Sequence, residues 1–547
     1  MTEHGDRPDG VARAAAHIAA GNVASRVTGF VRVLAVAGVL GTTFLGNTYQ
    51  TANLVSNVLF ELLAAGLLSS VLVPPFVRLL DDARAEEARE VAGAVLGVAL
   101  VGLGAVTVLG LLGRDAIMRA LTVAVDDPLV RAREVRLGSF LLLLFLPQVL
   151  LYAVGAVTTA LLHGARRFRA AALAPVANNL VVIATMGVFW LLRRGDPSAA
   201  GAGGLELPFS QRLVLAVGTT AGVAAMTLVP LVDAWRAGLS VRPRWAPRHP
   251  GLRGLGRAGA WGAAYLALNQ VLVAVTLVLA NRVEGGVVAY HLAFTVFLLP
   301  HAVLAHPTIT AVYPRLAAEA AARRWRAFSE TLRGSAAVVV FLVAPAVAVL
   351  VALGRPALSL LRLGSLDAAG AALVADVLAA YALGLVGYAG FHLLTRASYA
   401  TGDTRSPAIV NLGVAAGGSA LMLALFAVAD GGDRVVALGL AHSVAMVAGA
   451  ATLLAVVGRR AGEACVPAGS LLRGLGAGVA AGVAARLVAD RLPAGGRPAA
   501  ALALALGGAA AGAVYLAVQA WLRAPELKRW RAGGMRGALE PAPGGGR

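Results

Sequence analysis

Apolar residues run along this chain in blocks of roughly 20, separated by short polar intervals. A helix needs about 20 such residues to cross the hydrocarbon of a bilayer. The blocks predict about fourteen spanning helices, near 14–40, 49–77, 91–112, 137–162, 171–193, 212–235, 257–281, 286–313, 334–353, 371–399, 406–428, 435–458, 470–489 and 499–522. An even number of crossings leaves both termini on one side. The intervals on that side hold roughly 28 Lys and Arg, against roughly 14 on the other, which predicts cytoplasmic termini. After the third block, "RDAIMRALTVAV" mixes charge with apolar residues at helical spacing and predicts a helix lying in the interface.

The blocks group into a polar N-terminus (1–13), a six-helix bundle (14–235), a basic cytoplasmic linker (236–257) and a second six-helix bundle (257–458). Two further helices (470–522) and a basic cytoplasmic tail (523–547) follow. The linker, "RAGLSVRPRWAPRHPGLRGLGR", holds three prolines and a tryptophan. A faint repeat supports two halves in the same orientation. "VLVPPFVRLL" echoes in "TAVYPRLAA", and "LLHGARRFRAAALAPVANNL" in "ASYATGDTRSPAIVNL", at an offset of about 233–240 residues. Parallel repeats of this kind suit a transporter.

Composition removes other classes. The chain is 59% hydrophobic and 14% charged, with mean hydropathy +0.77. A soluble protein of 547 residues cannot hide that much apolar surface. The net charge of +19 sits in short loops, where it sets topology, so nucleic acid is not the expected partner. The basic tail is expected to anchor on anionic membrane lipid. With one cysteine, Cys465, no intrachain disulfide forms. No metal-ligand cluster, nucleotide loop, nucleophile elbow or acid–base pair stands out, so neither an enzyme nor a cofactor is expected. The first ten residues, "MTEHGDRPDG", lack a secretory signal's apolar core, and Met1 is expected to stay.

The first block is the exception to its own pattern. "ASRVTGFVRVLAVAGVLG" carries Arg26 and Arg32, and charge at bilayer depth costs about 2.5–3.5 kcal/mol per residue. Asn22, Ser25, Gly29 and Arg32 share one helix face and Arg26 flanks it, so the stripe is expected to face protein or a water-filled cavity. One reading is structural: the arginines snorkel, or pair with a carboxylate such as Glu61. The other is an anion site, since a guanidinium grips phosphate oxygens bidentately. Asn57, Glu61, Asn269, Gln270 and His291 are further cavity-lining candidates, whereas Asn178, Asn179 and Gln148 suit helix–helix contacts. Pro300, Pro307 and Pro314 interrupt the eighth block near His301 and His306 and predict a bending element.

These residues carry a resemblance. "SRVTGFVR" (Ser25–Arg32) resembles the first-helix signature of the MurJ/MviN lipid II flippases, within the multidrug/oligosaccharidyl-lipid/polysaccharide exporter superfamily. "NTYQTANLVSNVLFELLAAGLLSSVLVPPF" is similar to that family's second helix, and "LLTRASYATGDTRSP" to its run after the tenth. The resemblance implies an all-α polytopic protein of the bacterial cytoplasmic membrane with a V-shaped fold. It would turn the peptidoglycan precursor, a polyprenyl-diphosphate-linked saccharide (lipid II), from the inner to the outer leaflet. It implies Ser25, Arg26 and Arg32 as cavity residues and cell-wall synthesis proteins as partners. The chain departs from the family in three places: Val33 replaces an acid, Phe60 and Glu61 stand where an arginine pair is found, and Thr295 falls near a further cavity arginine. Three other cargoes or roles stay open: another polyprenyl-linked glycan, cationic drugs, or a non-transporting scaffold for cell-wall synthesis.

Overall fold

Capping residues set where the apolar blocks become helices. Asp127 accepts from the Leu129 and Val130 amides at 2.7 and 3.3 Å, and Pro128 follows in the first helical position. Thr43 and Asp367 cap two other helices in the same way, and Gly462, at φ +66°, ends a third. The computed structural model describes residues 8–61, 66–194, 204–249, 255–463, 465, 467–492 and 495–531. Parts of the expected N-terminal segment (1–7), linker (250–254) and tail (532–547) lie outside the described residues. Every regular element among the described residues is helical, and the chain is an all-α, multi-pass membrane protein.

Among the described residues, eleven runs are long and apolar enough to cross a membrane, and a pair bent by 47°, Ala368–Ala382 with Leu385–Ala400, makes a twelfth. The other two expected spans fall at 49–77, where 62–65 are not described, and at 257–281, where the apolar helix runs Tyr265–Ala280.

The chain divides into two compact units: 1–270 with 363–366, and 271–362 with 367–547. Unit 1 contains α1 (Pro8–Leu40), α2 (Phe44–Phe60), α3 (Gly66–Asp81), α4 (Ala85–Leu112), α5 (Arg114–Leu121), α6 (Pro128–Phe145), α7 (Gln148–Gly164), α8 (Arg169–Arg193) and α9 (Phe209–Arg236). The division falls inside α10 (Leu255–Ala280). In the core of unit 1, Tyr49 meets Phe145 edge-to-face at 6.0 Å. The expected interfacial helix is α5. It buries Met118 against Gly138, while Asp115 and Arg119 stay exposed.

The segment read as a linker is docked where it leaves α9. The Arg244 amide donates to the Gly93 carbonyl at 2.9 Å, and its guanidinium reaches Glu90 at 3.1 Å. The contact needs bare backbone: a Cβ on Gly97 would lie 2.1 Å from the Arg244 carbonyl oxygen. Residues 242–244 thus form a strap on α4.

Unit 2 contains α11 (Gly286–Pro300), a π-turn (His301–Ala305), α12 (His306–Ala321), α13 (Trp325–Leu360), α14 (Ala368–Ala382), α15 (Leu385–Ala400), α16 (Arg405–Val428), α17 (Asp433–Ala461), α18 (Ala468–Asp490) and α19 (Gly496–Trp521). The π-turn lies between Pro300 and Pro307, where the prolines predict bending. Around it cluster His301, Tyr388 and His392, with ring centroids 4.6–5.2 Å apart. The last two helices pack on α13 through Ala477, Ala481, Ala485 and Ala511, and Tyr515 donates to the Phe341 carbonyl at 2.8 Å. Small residues let helices approach closely where hydrophobicity gives no advantage over lipid.

Candidate functional site

The α1 stripe is divided by its neighbour. Asn179 of α8 donates to the Thr28 hydroxyl at 3.0 Å and to the Ser25 carbonyl at 3.3 Å. A Cβ on Gly29 would lie 3.5 Å from the Asn179 amide nitrogen, and one on Gly21 would lie 2.9 Å from the Ala172 Cβ. Gly21, Ser25, Thr28 and Gly29 therefore form the seam on which α8 packs. Asn22 and Arg26 lie on the exposed face, beside Val23 and Val27 at 60% and 57% exposure. The single polar face read from the spacing is thus two faces, because helix packing claims the small residues.

Arg32 is half-buried, and its charge reaches the hydroxyls of Tyr49 and Tyr152. Tyr152 donates to the Asn57 side-chain oxygen at 3.1 Å. Asn57, Glu61 and Tyr152 line a cavity of about 670 Å³ in unit 1, together with Thr159 and His163. The Gln270 amide donates to Glu61. No ion pair joins Glu61 to Arg26 or Arg32 among the described residues, so the structural pairing is not what this conformation holds. Asn57, Glu61 and Gln270 thus belong to one connected polar region, and Arg32 lies near Tyr152 without lining the cavity. Asn269 is half-buried and does not line this cavity. His291 belongs to unit 2, where its carbonyl accepts from Thr295.

Sequence reading missed Tyr152, Thr159 and His163. Their signal was available: with Gln148 they follow i, i+4, i+11, i+15 along α7, which is one helix face. Chemically, the region with Arg32 beside it offers a cation half-withdrawn from water, a carboxylate and several neutral donors. That set binds and orients a polar group, and it contains no activated nucleophile.

A family model described as "Lipid II flippase MurJ" matches residues 36–490. The chain belongs to the MurJ lipid II flippase family. The match takes in Asn57, Glu61, Tyr152, His163 and Gln270 and begins four residues past Arg32. A Rhizobium meliloti protein named "Probable lipid II flippase MurJ" is 27% identical over 404 residues, covering 72% of this chain and 71% of that protein. A Burkholderia cenocepacia protein named "Lipid II flippase MurJ" is 24% identical over 397 residues, covering 71% and 73%. The fold resembles a MurJ structure in an inward closed conformation, with TM-score 0.73 and 17% identity over 92% of this chain and 98% of that one. It also resembles an inward-facing multidrug resistance MATE transporter of the MOP superfamily, with TM-score 0.64 and 15% identity over 80% and 94%. The MurJ family is one of transporters, not of bond-making enzymes.

Proposed function

We propose that this chain carries lipid II from the inner to the outer leaflet of the bacterial cytoplasmic membrane by alternating access, for cell-wall synthesis. The supporting observation is the family match across 36–490, which includes the cavity of unit 1. Arg26 and Arg32 meet the diphosphate, since a guanidinium fork fits phosphate oxygens and gains strength where water is scarce. Asn57, Glu61 and Gln270 contact the cargo's neutral polar groups. Both termini face the cytoplasm, as the basic loops favour. Cell-wall synthesis proteins take over the delivered precursor.

The membrane potential supplies the drive. One charge moved through 100 mV is worth about 2.3 kcal/mol, so a diphosphate with about two charges gains about 4–5 kcal/mol moving outward. Outer-leaflet accessibility of lipid II in cells depleted of this protein tests the reading. Accessibility falls on depletion, wild type restores it, and Arg26→Ala or Arg32→Ala does not. Unchanged accessibility on depletion rejects lipid II as the cargo.

A further inference from the structure

A second cavity of unit 1, about 790 Å³, lies where α7 passes into α8 and where α9 ends. It contains none of the cargo-site residues named above. Four arginines line it, Arg166, Arg167, Arg169 and Arg236, against one acid, Asp233. Two of the cations are already engaged. Arg167 grips Asp233 through two bonds of 3.2 and 2.5 Å, and Arg166 reaches both oxygens of Asp81 at 3.3 Å. Arg169 and Arg236 are exposed, and no carboxylate pairs with either among the described residues.

The other wall is apolar and open. Leu173 of α8 and Leu228 and Val232 of α9 are 47%, 54% and 41% exposed. In a spanning bundle, such side chains meet acyl chains rather than water. Trp235, 70% exposed on the last turn of α9, marks the level of the headgroups.

We propose that this cavity binds one anionic glycerophospholipid, with its phosphate between Arg169 and Arg236 and one acyl chain along Leu173, Leu228 and Val232. Charge selects the headgroup: the lining carries three positive charges in excess, and a zwitterionic lipid offers no net charge to match it. The site requires only that the chain spans a membrane, so it stands or falls separately from the cargo.

The test uses the purified full chain released from nanodiscs of phosphatidylcholine with or without phosphatidylglycerol, with retained lipid counted by native mass spectrometry. Wild type retains one phosphatidylglycerol in preference to phosphatidylcholine. The pair Arg169→Gln/Arg236→Gln weakens that retention about tenfold or more, and Arg169→Lys/Arg236→Lys restores most of it. The lysine pair also shows that the loss is not misfolding. Equal retention of the two lipids, or no change in the glutamine pair, overturns the proposal. Inorganic phosphate that displaces the lipid at equal concentration overturns the acyl-chain half of it. Weakened lipid II binding with unchanged phosphatidylglycerol retention assigns the cavity to the cargo instead.

Discussion

Asn179 donates its side-chain amide to the Thr28 hydroxyl at 3.0 Å, and this bond fixes the face that α1 turns toward α8. Asn179 is 5% exposed, so its amide has little water to fall back on. We expect Asn179→Leu to lower stability by about 0.6–1.7 kcal/mol, the range of interhelical hydrogen bonds in membrane bundles. Thr28→Val added to it should cost little more. Thermal unfolding of the four proteins of this cycle checks both statements, and fully additive losses would show that the two groups are not coupled.

Glu61 gives a functional prediction. Its carboxylate lines the cavity of unit 1, and Gln270 is its hydrogen-bond donor. Glu61→Gln removes a negative charge from a region proposed to receive a diphosphate. Affinity for lipid II should rise several-fold at low salt, with less gain at high salt. Titration of purified protein with lipid II at two ionic strengths reads this directly. A fall in affinity would mean that the carboxylate's contact with the cargo's neutral groups outweighs its repulsion of the diphosphate.

Asp403 sets a pH dependence. It lies between α15 and α16, where one oxygen accepts from the Arg405 and Ser406 amides at 3.1 and 3.0 Å and the other lies 2.7 Å from Arg460. Burial raises its carboxyl pKa, but Ser406, Arg460 and the Arg405 amide outweigh burial and hold it below the usual carboxylate range. A depressed folded value stabilises above the unfolded pKa, about 3.9, and the contribution is lost as pH falls through the folded value. Asp403→Asn should therefore melt lower than wild type at pH 7, and the gap should close on acidification below about pH 4. A gap that persists at low pH would assign the effect to packing.

Much of the fold was legible because a bilayer accepts few solutions. Block length predicts the helices, and the interruption expected near Pro300 and Pro307 is the π-turn between them. The family-like run ending in "TGDTRSP" is explained by Asp403, which starts α16 and anchors it to α17 through Arg460. The site was less legible. Spacing places Ser25 and Gly29 beside Arg32 on the wheel, but spacing cannot say which face another helix covers. Tyr152 was missed because an aromatic in an apolar block reads as core until its hydroxyl finds Asn57. The docking of 242–244 was invisible because its partner is the backbone of two glycines about 150 residues earlier.

That docking is open to test. Gly97→Ala places a methyl group where the Arg244 carbonyl lies, so the strap must lift from α4. We expect the Arg244 amide, bonded to Gly93, to lose hydrogen-exchange protection at least tenfold. Gly102→Ala, whose new methyl group meets open space, should change nothing. Unaltered exchange in Gly97→Ala would show that the strap is held from elsewhere.

The π-turn gives one stretch of unit 2 a residue to spare. His306 donates its amide to His301, five residues back, so the helix holds one residue more than an uninterrupted path would. Each residue turns a helix by about 100°. The wide turn absorbs that rotation, so removing one residue from 301–305 restores the ordinary ladder and leaves α11 and α12 facing as before. Removing one residue on either side of the turn instead swings one half by that angle, and Phe297, packed on Tyr388, and Leu316, fully buried, could not both keep their places. The turn can therefore change length by one residue where the helices beside it cannot, and among related chains a single-residue gap should fall there.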